Sequence, residues 1–441
     1  MCEMRQNKSA MLIPLYLSAV LSFQPNAFAE RIDAASYQYP YKDPYPATMT
    51  VAILQGSEHP PTGDIKDLHV KVLNHRNDIY LLEGKGTLRY RFYQQKGPAP
   101  LIFIIPGLAA SAYSGSARFL AEWFSGHGFH ALILPSPFNW NFTLAASSTG
   151  YPGHTQDDTK DLYAVMQLVL SDVKTRCHAQ IGNLGLLGFS DGALYASYIS
   201  KMDSEKRQIG IDAYLLVNPP VDLFETVRKI DRMADVGKEY GTEQKTDLEA
   251  YAFGVVAAAL RKKPDDPDYF ADWDKRLRLT DRPIQYLIGK KLHDSVGDTI
   301  YVTDLANDAH VLKTPISWGY RSGRLEEARS YGLMGYVETF LIPRLRRIGD
   351  KETSLQTLDT ENSIRGVKSA LQDNQRVFLM HNLDDVLVSV EDIAYLEKVF
   401  GDRAIIYPHG GHLGNLWYTE NKKHILDVFK PLLQSSARSN P

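Results

Sequence analysis

The sequence predicts an α/β fold: a mostly parallel eight-stranded sheet with helices on both faces, and a helical cap inserted between strands 6 and 7. Three observations predict it. The runs PLIFIIPG, HALILPSP, IGNLGLLGF and DAYLLVNPP are continuously apolar, as strands covered on both faces are. A helix-period segment separates each run from the next: SARFLAEWFSGHG, TKDLYAVMQLVLSDVKTR and DGALYASYISKM. The alternation then breaks over Leu223 to Gln375 before two more strand-like runs, QRVFLMHN and AIIYPHGG, resume it.

Taken in order, the chain begins with Arg5 and Lys8 ahead of the apolar run Met11 to Phe23, followed by Ala27-Phe28-Ala29. Charge, short apolar run and small-x-small site together read as an export signal, residues 1–29, and the run is too short to span a bilayer. The mature chain is expected to be periplasmic or secreted, with no stable membrane span. Cleavage removes Glu3, Arg5 and Lys8, a net +1, and takes the formal charge from −3 to −4. That balance gives no footing to nucleic acid as a partner. Of the two cysteines only Cys177 would remain, so the fold does not rest on a disulfide, and no Cys/His spacing marks a metal site.

Residues 30–66, with the stretch YQYPYKDPYP, read as an irregular N-terminal arm laid over the surface. DLHVKVL and GTLRYRFYQQ alternate apolar and polar residues like half-exposed strands near a sheet edge. They open a core spanning 67–222 and 376–441, which VEDIAYLEKVFG and HILDVFKPLLQ complete as helices. The insertion, 223–375, reads as mainly helical. Leu223, Val227, Ile230, Met233 and Val236 hold one apolar face, and Leu325, Ala328, Tyr331, Met334, Val337 and Leu341 another. Its last part, Ser363 to Leu371, is expected to rejoin the core. An insertion at the carboxyl edge of a parallel sheet lies over the place where ligands bind.

The chemistry is read from four short stretches. In GFSDG, Ser190 stands between Gly188 and Gly192 where a buried strand gives way to a helix, the setting of a nucleophile elbow. A serine hydroxyl needs a base to take its proton. His412, in HGGHLG after the last strand, has that place, whereas His409 is expected to face the strand end. The base needs a carboxylate to orient it. MHNLDDVLVSVED offers Asp384 and Asp385, and Asp385 is favoured because Val386, Leu387 and Val388 then tuck the chain back. Asp222 is a weaker candidate. A tetrahedral intermediate needs N–H donors aimed at its oxygen. The backbone N–H groups of Asp191 and of Leu108, after Gly107 in FIIPGLAAS, are the candidates.

These residues resemble the α/β-hydrolase superfamily over Asp67 to Asp222 and Arg376 to the C-terminus: GFSDG, PGLA after an apolar strand, the acid after strand 7 and the terminal GGHLG. The resemblance implies Ser190 as nucleophile, His412 as base, Asp385 as acid, and the Leu108 and Asp191 amides as oxyanion hole, with no cofactor. One departure is Pro106-Gly107 where many members carry His-Gly. The implied activity is that of an exported serine hydrolase cleaving a carboxylic ester, with a small-molecule or lipid substrate. Phe224, Tyr251, Phe253, Tyr331 and Phe340 in the cap suit an apolar acyl or aromatic group, although such stripes more often form core than pocket. A peptidase, thioesterase or acyltransferase would use the same three residues, and a binding protein could keep the fold without the chemistry.

Overall fold

Nine strands form one sheet: β1 (Glu30–Arg31), β2 (Asp64–Val70), β3 (Leu88–Gln94), β4 (Ala99–Ile105), β5 (His130–Ile133), β6 (Ile181–Phe189), β7 (Ala213–Val217), β8 (Val377–Asn382) and β9 (Ala404–Tyr407). Their order across it is β1-β9-β8-β7-β6-β4-β5-β3-β2. Only β3 runs against the rest, antiparallel to both β2 and β5. The computed structural model describes residues 29–436 except 59–60, 75, 77–78, 263–268 and 349–352. The expected signal segment therefore lies, but for Ala29, outside the described residues. The sheet has one strand more than the eight read from sequence. The extra strand is the two-residue β1, too short to show any periodicity, which pairs in parallel with Ile405 and Ile406.

Alternation along β4 shows how the sequence builds two cores. Leu101, Phe103 and Ile105 point into one apolar cluster, and Ile102 and Ile104 into the other. All seven residues of β4 are buried, and full burial of one such side chain stabilises the fold by roughly 1.5–3 kcal/mol. The helices are α1 (Pro44–Met49), α2 (Gly115–Gly126), α3 (Trp140–Ala145), α4 (Thr155–Arg176), α5 (Asp191–Lys206), α6 (Leu223–Asp235), α7 (Thr242–Ala259), α8 (Trp273–Leu277), α9 (Asp281–Ala306), α10 (Arg321–Arg329), α11 (Gly332–Tyr336), α12 (Ile342–Arg347), α13 (Leu355–Glu361), α14 (Lys368–Asp373), α15 (Val390–Phe400) and α16 (Thr419–Ser436). Helices α4, α5, α14 and α15 cover the first cluster, through residues such as Val165, Leu194, Leu371 and Leu396. Helices α2 and α16 cover the second, where the rings of Phe124 and Phe429 meet edge to face with centroids 5.4 Å apart. The strand order, its single reversed strand and the helices on both faces agree with the fold class expected from the sequence.

The cap leaves and rejoins the core at one neck. Leu223 N–H donates to Asn362 O (3.3 Å) and Ile364 N–H to Val221 O (2.9 Å). From Ser363 the chain is back on the core, where Ile364, Val367 and Leu371 are buried, so the cap ends ahead of the expected residue 375. The first expected face holds, with Leu223, Val227, Ile230, Met233 and Val236 all buried on α6 and the turn after it. The second is not one helix. Gly332, at φ +65°, turns the chain between α10 and α11, and a π-helical turn, Val337–Leu341, follows before α12. Asp231 on α6 steadies this break by accepting from the N–H groups of Leu333 (3.1 Å) and Met334 (2.9 Å). The sequence shows an apolar spacing that continues through the turn because both sides of the break face the same core.

The N-terminal arm, expected to lie irregularly over the surface, buries three of its tyrosines. Tyr37, Tyr39 and Tyr41 are 2–3% exposed. Tyr37 and Tyr39 stack, and the three rings otherwise meet one another and Tyr418, Tyr407 and Trp417, from the far end of the chain, edge-on or tilted. Burial of large aromatic surface is a strong hydrophobic contribution, and each ring is a fixed plate in that contact. The boundary at 66 also shifts, since β2 begins at Asp64.

Candidate active site

Ser190 directly follows β6 and caps α5 with φ 54° and ψ −129°, a backbone state an L-residue holds only when its surroundings impose it. Its N–H donates to Val217 O on the neighbouring strand at 2.9 Å. The flanking glycines are there for space. A Cβ on Gly188 would fall 2.2 Å from Gly192 O, and one on Gly192 would fall 2.1 Å from Ile105 O. The turn can close only without those carbons, and it leaves Ser190 at the carboxyl edge of the sheet.

His412 lies on the loop after β9, and its Nε2 is 2.9 Å from Ser190 Oγ. On the other side of the ring, Nδ1 is 2.9 Å from Asp385 Oδ2 and 3.1 Å from Oδ1. An ionised carboxylate cannot donate, so Nδ1 carries the proton and Nε2 is left to accept from the serine. Asp385 is fully engaged, taking further bonds from Asn218 Nδ2 (2.8 Å) and Leu387 N–H (2.8 Å). Burial acts to raise its pKa, but the adjoining His412, with His381 and the Leu387 N–H, outweighs burial and holds it below its ordinary value. The carboxylate stays charged where an imidazolium would form.

The other sequence candidates have other tasks. Asp384 does not touch His412. It accepts from Gly410 N–H (3.1 Å) and Gly411 N–H (2.8 Å) and so fastens the loop that carries the imidazole. Burial pushes its carboxyl up to about 6, against the two glycine donors, which favour the charged form. His409 stands 3.9 Å from Asp384. Asp222 sits at the cap's neck, where it pairs with Arg365 at 3.2 Å.

Leu108 and Asp191 line the same cavity as Ser190. Neither of their N–H groups has an acceptor among the described residues. Gly107 brings its loop against the serine, for a Cβ there would stand 3.0 Å from Ser190 Cβ and 3.3 Å from Oγ. That loop is fixed from behind. Asn139 Nδ2 donates to Ala109 O (2.8 Å), Ser136 N–H donates to Ala110 O (3.0 Å), and Ala109 is held at φ +57°.

Sequence reasoning missed Asn218, Asn139 and Thr48, whose Oγ accepts from His412 N–H at 2.9 Å. Asn218 had a faint signal. An Asn directly after a strand readily takes the left-handed state, and here φ is +47°. Thr48 had none, because its partner is 364 residues away.

The cavity above Ser190 has a volume of about 770 Å³. Leu223, Val227 and Ile230 of α6, Val256 of α7 and Ile288 and Leu292 of α9 line it with apolar surface. Glu249, Lys290 and Asp294 add charge to its lining, with Lys290 bound to Asp294 at 2.7 Å. Of the five cap aromatics read as a possible acyl pocket, only Phe253 lines the cavity. Phe224 and Phe340 are buried in the core, Tyr331 is half-buried and Tyr251 faces outward. Among the described residues no three His, Cys, Asp or Glu side chains stand together as metal ligands. Nor is any described helix long and apolar enough to cross a membrane.

No protein-family model and no curated protein matches the sequence. Solved structures do resemble it. An esterase of Pyrococcus furiosus is 12% identical with a TM-score of 0.41, over 84% of this chain and 92% of its own. A bacterial membrane phospholipase A, described as a virulence factor, is 12% identical with a TM-score of 0.39, over 88% and 92%. Brefeldin A esterase, a bacterial homologue of human hormone-sensitive lipase, is 11% identical with a TM-score of 0.41, over 90% and 89%.

Proposed function

We propose that the protein is an exported serine hydrolase that cleaves carboxylic esters carrying an apolar acyl or aromatic group. One observation carries the reading: the hydrogen-bonded run from Ser190 Oγ through His412 to Asp385, opening on a largely apolar cavity. In this reaction His412 Nε2 takes the hydroxyl proton as Ser190 Oγ bonds to the ester carbon. The carbonyl oxygen gains negative charge and accepts from the N–H groups of Leu108 and Asp191. The free start of α5 adds its positive end at that point. Collapse of the intermediate expels the alcohol, which leaves with the proton from Nε2, and the acyl group stays on Ser190. Water then enters, gives a proton to Nε2 and attacks the same carbon, and the acid departs as Oγ recovers its proton. Asp385 remains ionised throughout and stabilises the imidazolium formed in each half. No bond change requires a metal or cofactor.

Export rests on Arg5, Lys8, the apolar run and Ala27-Phe28-Ala29. Cleavage after Ala29 would cost the fold none of its described elements, since β1 starts at Glu30. Mass spectrometry of the mature N-terminus should find Glu30. For the activity, p-nitrophenyl esters of rising chain length should be hydrolysed and aminoacyl amides left nearly untouched. Ser190→Ala should abolish turnover while leaving thermal stability and ligand binding in place. Full ester turnover by that variant would eliminate the serine mechanism.

A further inference from the structure

The turn formed by α1 and the short 3₁₀ segment Thr50–Ile53 lies outside the sheet, yet it meets the site from two sides. Asp43 caps α1 by accepting from Tyr45 N–H at 3.0 Å. One turn later, Thr48 Oγ donates to Pro44 O (2.7 Å) and accepts the N–H of His412 (2.9 Å). Thr48 is 8% exposed. Thr50 Oγ donates to Gly414 O (2.7 Å) on the far side of the same loop. Contact between the two segments is backbone to backbone. A Cβ on Gly411 would fall 2.3 Å from Pro44 O, and one on Gly414 would fall 2.1 Å from Ala47 O. The loop that aims the imidazole is thus seated on this turn from both ends. Met49, Val51, Ala52 and Leu54, from the same turn, line the cavity beside Ser190. Ala52 is exposed, and a larger side chain there has cavity to grow into.

We propose that this turn completes the active site: Thr48 is a positioning residue for His412, and the wall around Ala52 sets the length of the apolar group the enzyme accepts. The proposal rests on the serine-hydrolase reading above. Loss of the Thr48 acceptor leaves the His412 amide unpaired in a buried place and frees the loop to shift. A displaced general base slows the proton transfer without weakening ground-state binding, so the loss falls on kcat. The wall acts on binding of the chain instead, because each methylene that finds no room forfeits its burial.

Thr48→Val keeps the shape and removes the acceptor, and Thr48→Ser keeps the acceptor. The Val variant should lose roughly tenfold to a hundredfold in kcat with KM within about twofold, and the Ser variant should stay within about threefold of wild type. Ala52→Trp should lower the ratio of kcat/KM for a long-chain p-nitrophenyl ester to that for the acetate ester by about tenfold or more. Position 52 is exposed and lines the cavity, so this variant remains informative if Thr48→Val fails to fold. Wild-type kcat in a folded Thr48→Val, equal losses in the Val and Ser variants, or an unchanged chain-length preference in Ala52→Trp would each overturn the proposal. Failure of wild type to turn over any ester would instead remove the hydrolase reading beneath it.

Discussion

Asp191→Asn should erase a pH dependence of stability that the wild-type protein carries between about pH 4 and pH 7. Asp191 is the first residue of α5, beside Ser190, and is 4% exposed. Its Oδ2 lies 3.5 Å from Ser136 Oγ, and its Oδ1 has no hydrogen-bond partner among the described residues. Burial pushes this carboxyl from 3.8 up to about 7, and the Ser136 hydroxyl offsets little of that. In the interval the folded protein holds a proton that the unfolded chain has released, so stability falls as pH rises and levels off above the folded value. A shift of about three units, at roughly 1.4 kcal/mol each, amounts to about 4 kcal/mol. Asn keeps the size and has no such proton. Urea unfolding of both proteins from about pH 4 to about pH 8 should show the Asn variant gaining on wild type by an amount of that order. Asp384, also raised, titrates in both proteins and cancels in the difference. Parallel stability curves would refute the reasoning and mean that the carboxylate is charged and solvated at neutral pH.

Four further outcomes follow from the geometry. Asp385→Asn should cut kcat by roughly four orders of magnitude, because an amide does not hold Nδ1 as donor, whereas Asp384→Asn, which keeps an acceptor for the loop, should cost about tenfold or less; steady-state kinetics of the pair checks this, and equal losses would contradict the division of labour. Gly107→Ala places a methyl 3.0 Å from Ser190 Cβ and should depress kcat with little change in melting temperature. Gly188→Ala, 2.2 Å from Gly192 O, should instead destabilise the fold by about 3 kcal/mol, as thermal unfolding will show. In the cap, Arg324 and Asp304 form an ion pair with side chains 1% exposed. Asp304→Ala strands the guanidinium and should cost roughly 3–5 kcal/mol, read from denaturant unfolding.

The parts of the site that the sequence discloses are those whose cause is local. Ser190 is legible because the sharp turn demands glycines two residues to either side, and the strand and helix that flank it have their own periodicities. His412 and Asp385 are legible because each follows the end of an apolar strand. The choice between Asp384 and Asp385 depends on which side chain of a tight turn faces inward, and only the bonds from Asn218 and Leu387 decide it. The arm misleads because Tyr and Pro clusters carry no period. What buries Tyr37 is Tyr418 and Asn415, hundreds of residues downstream. Thr48 is hidden for the same reason, and the break at Gly332 is hidden because Asp231, which stabilises it, lies on another helix.

Covalent labelling settles whether His412 activates Ser190. Wild-type protein treated with a fluorophosphonate and digested should carry one adduct, on the peptide containing Ser190. In His412→Ala the rate of labelling should fall by roughly three orders of magnitude or more with the fold intact. A folded wild-type protein that hydrolyses esters yet takes no label at Ser190, or takes it equally fast without the imidazole, would contradict the mechanism.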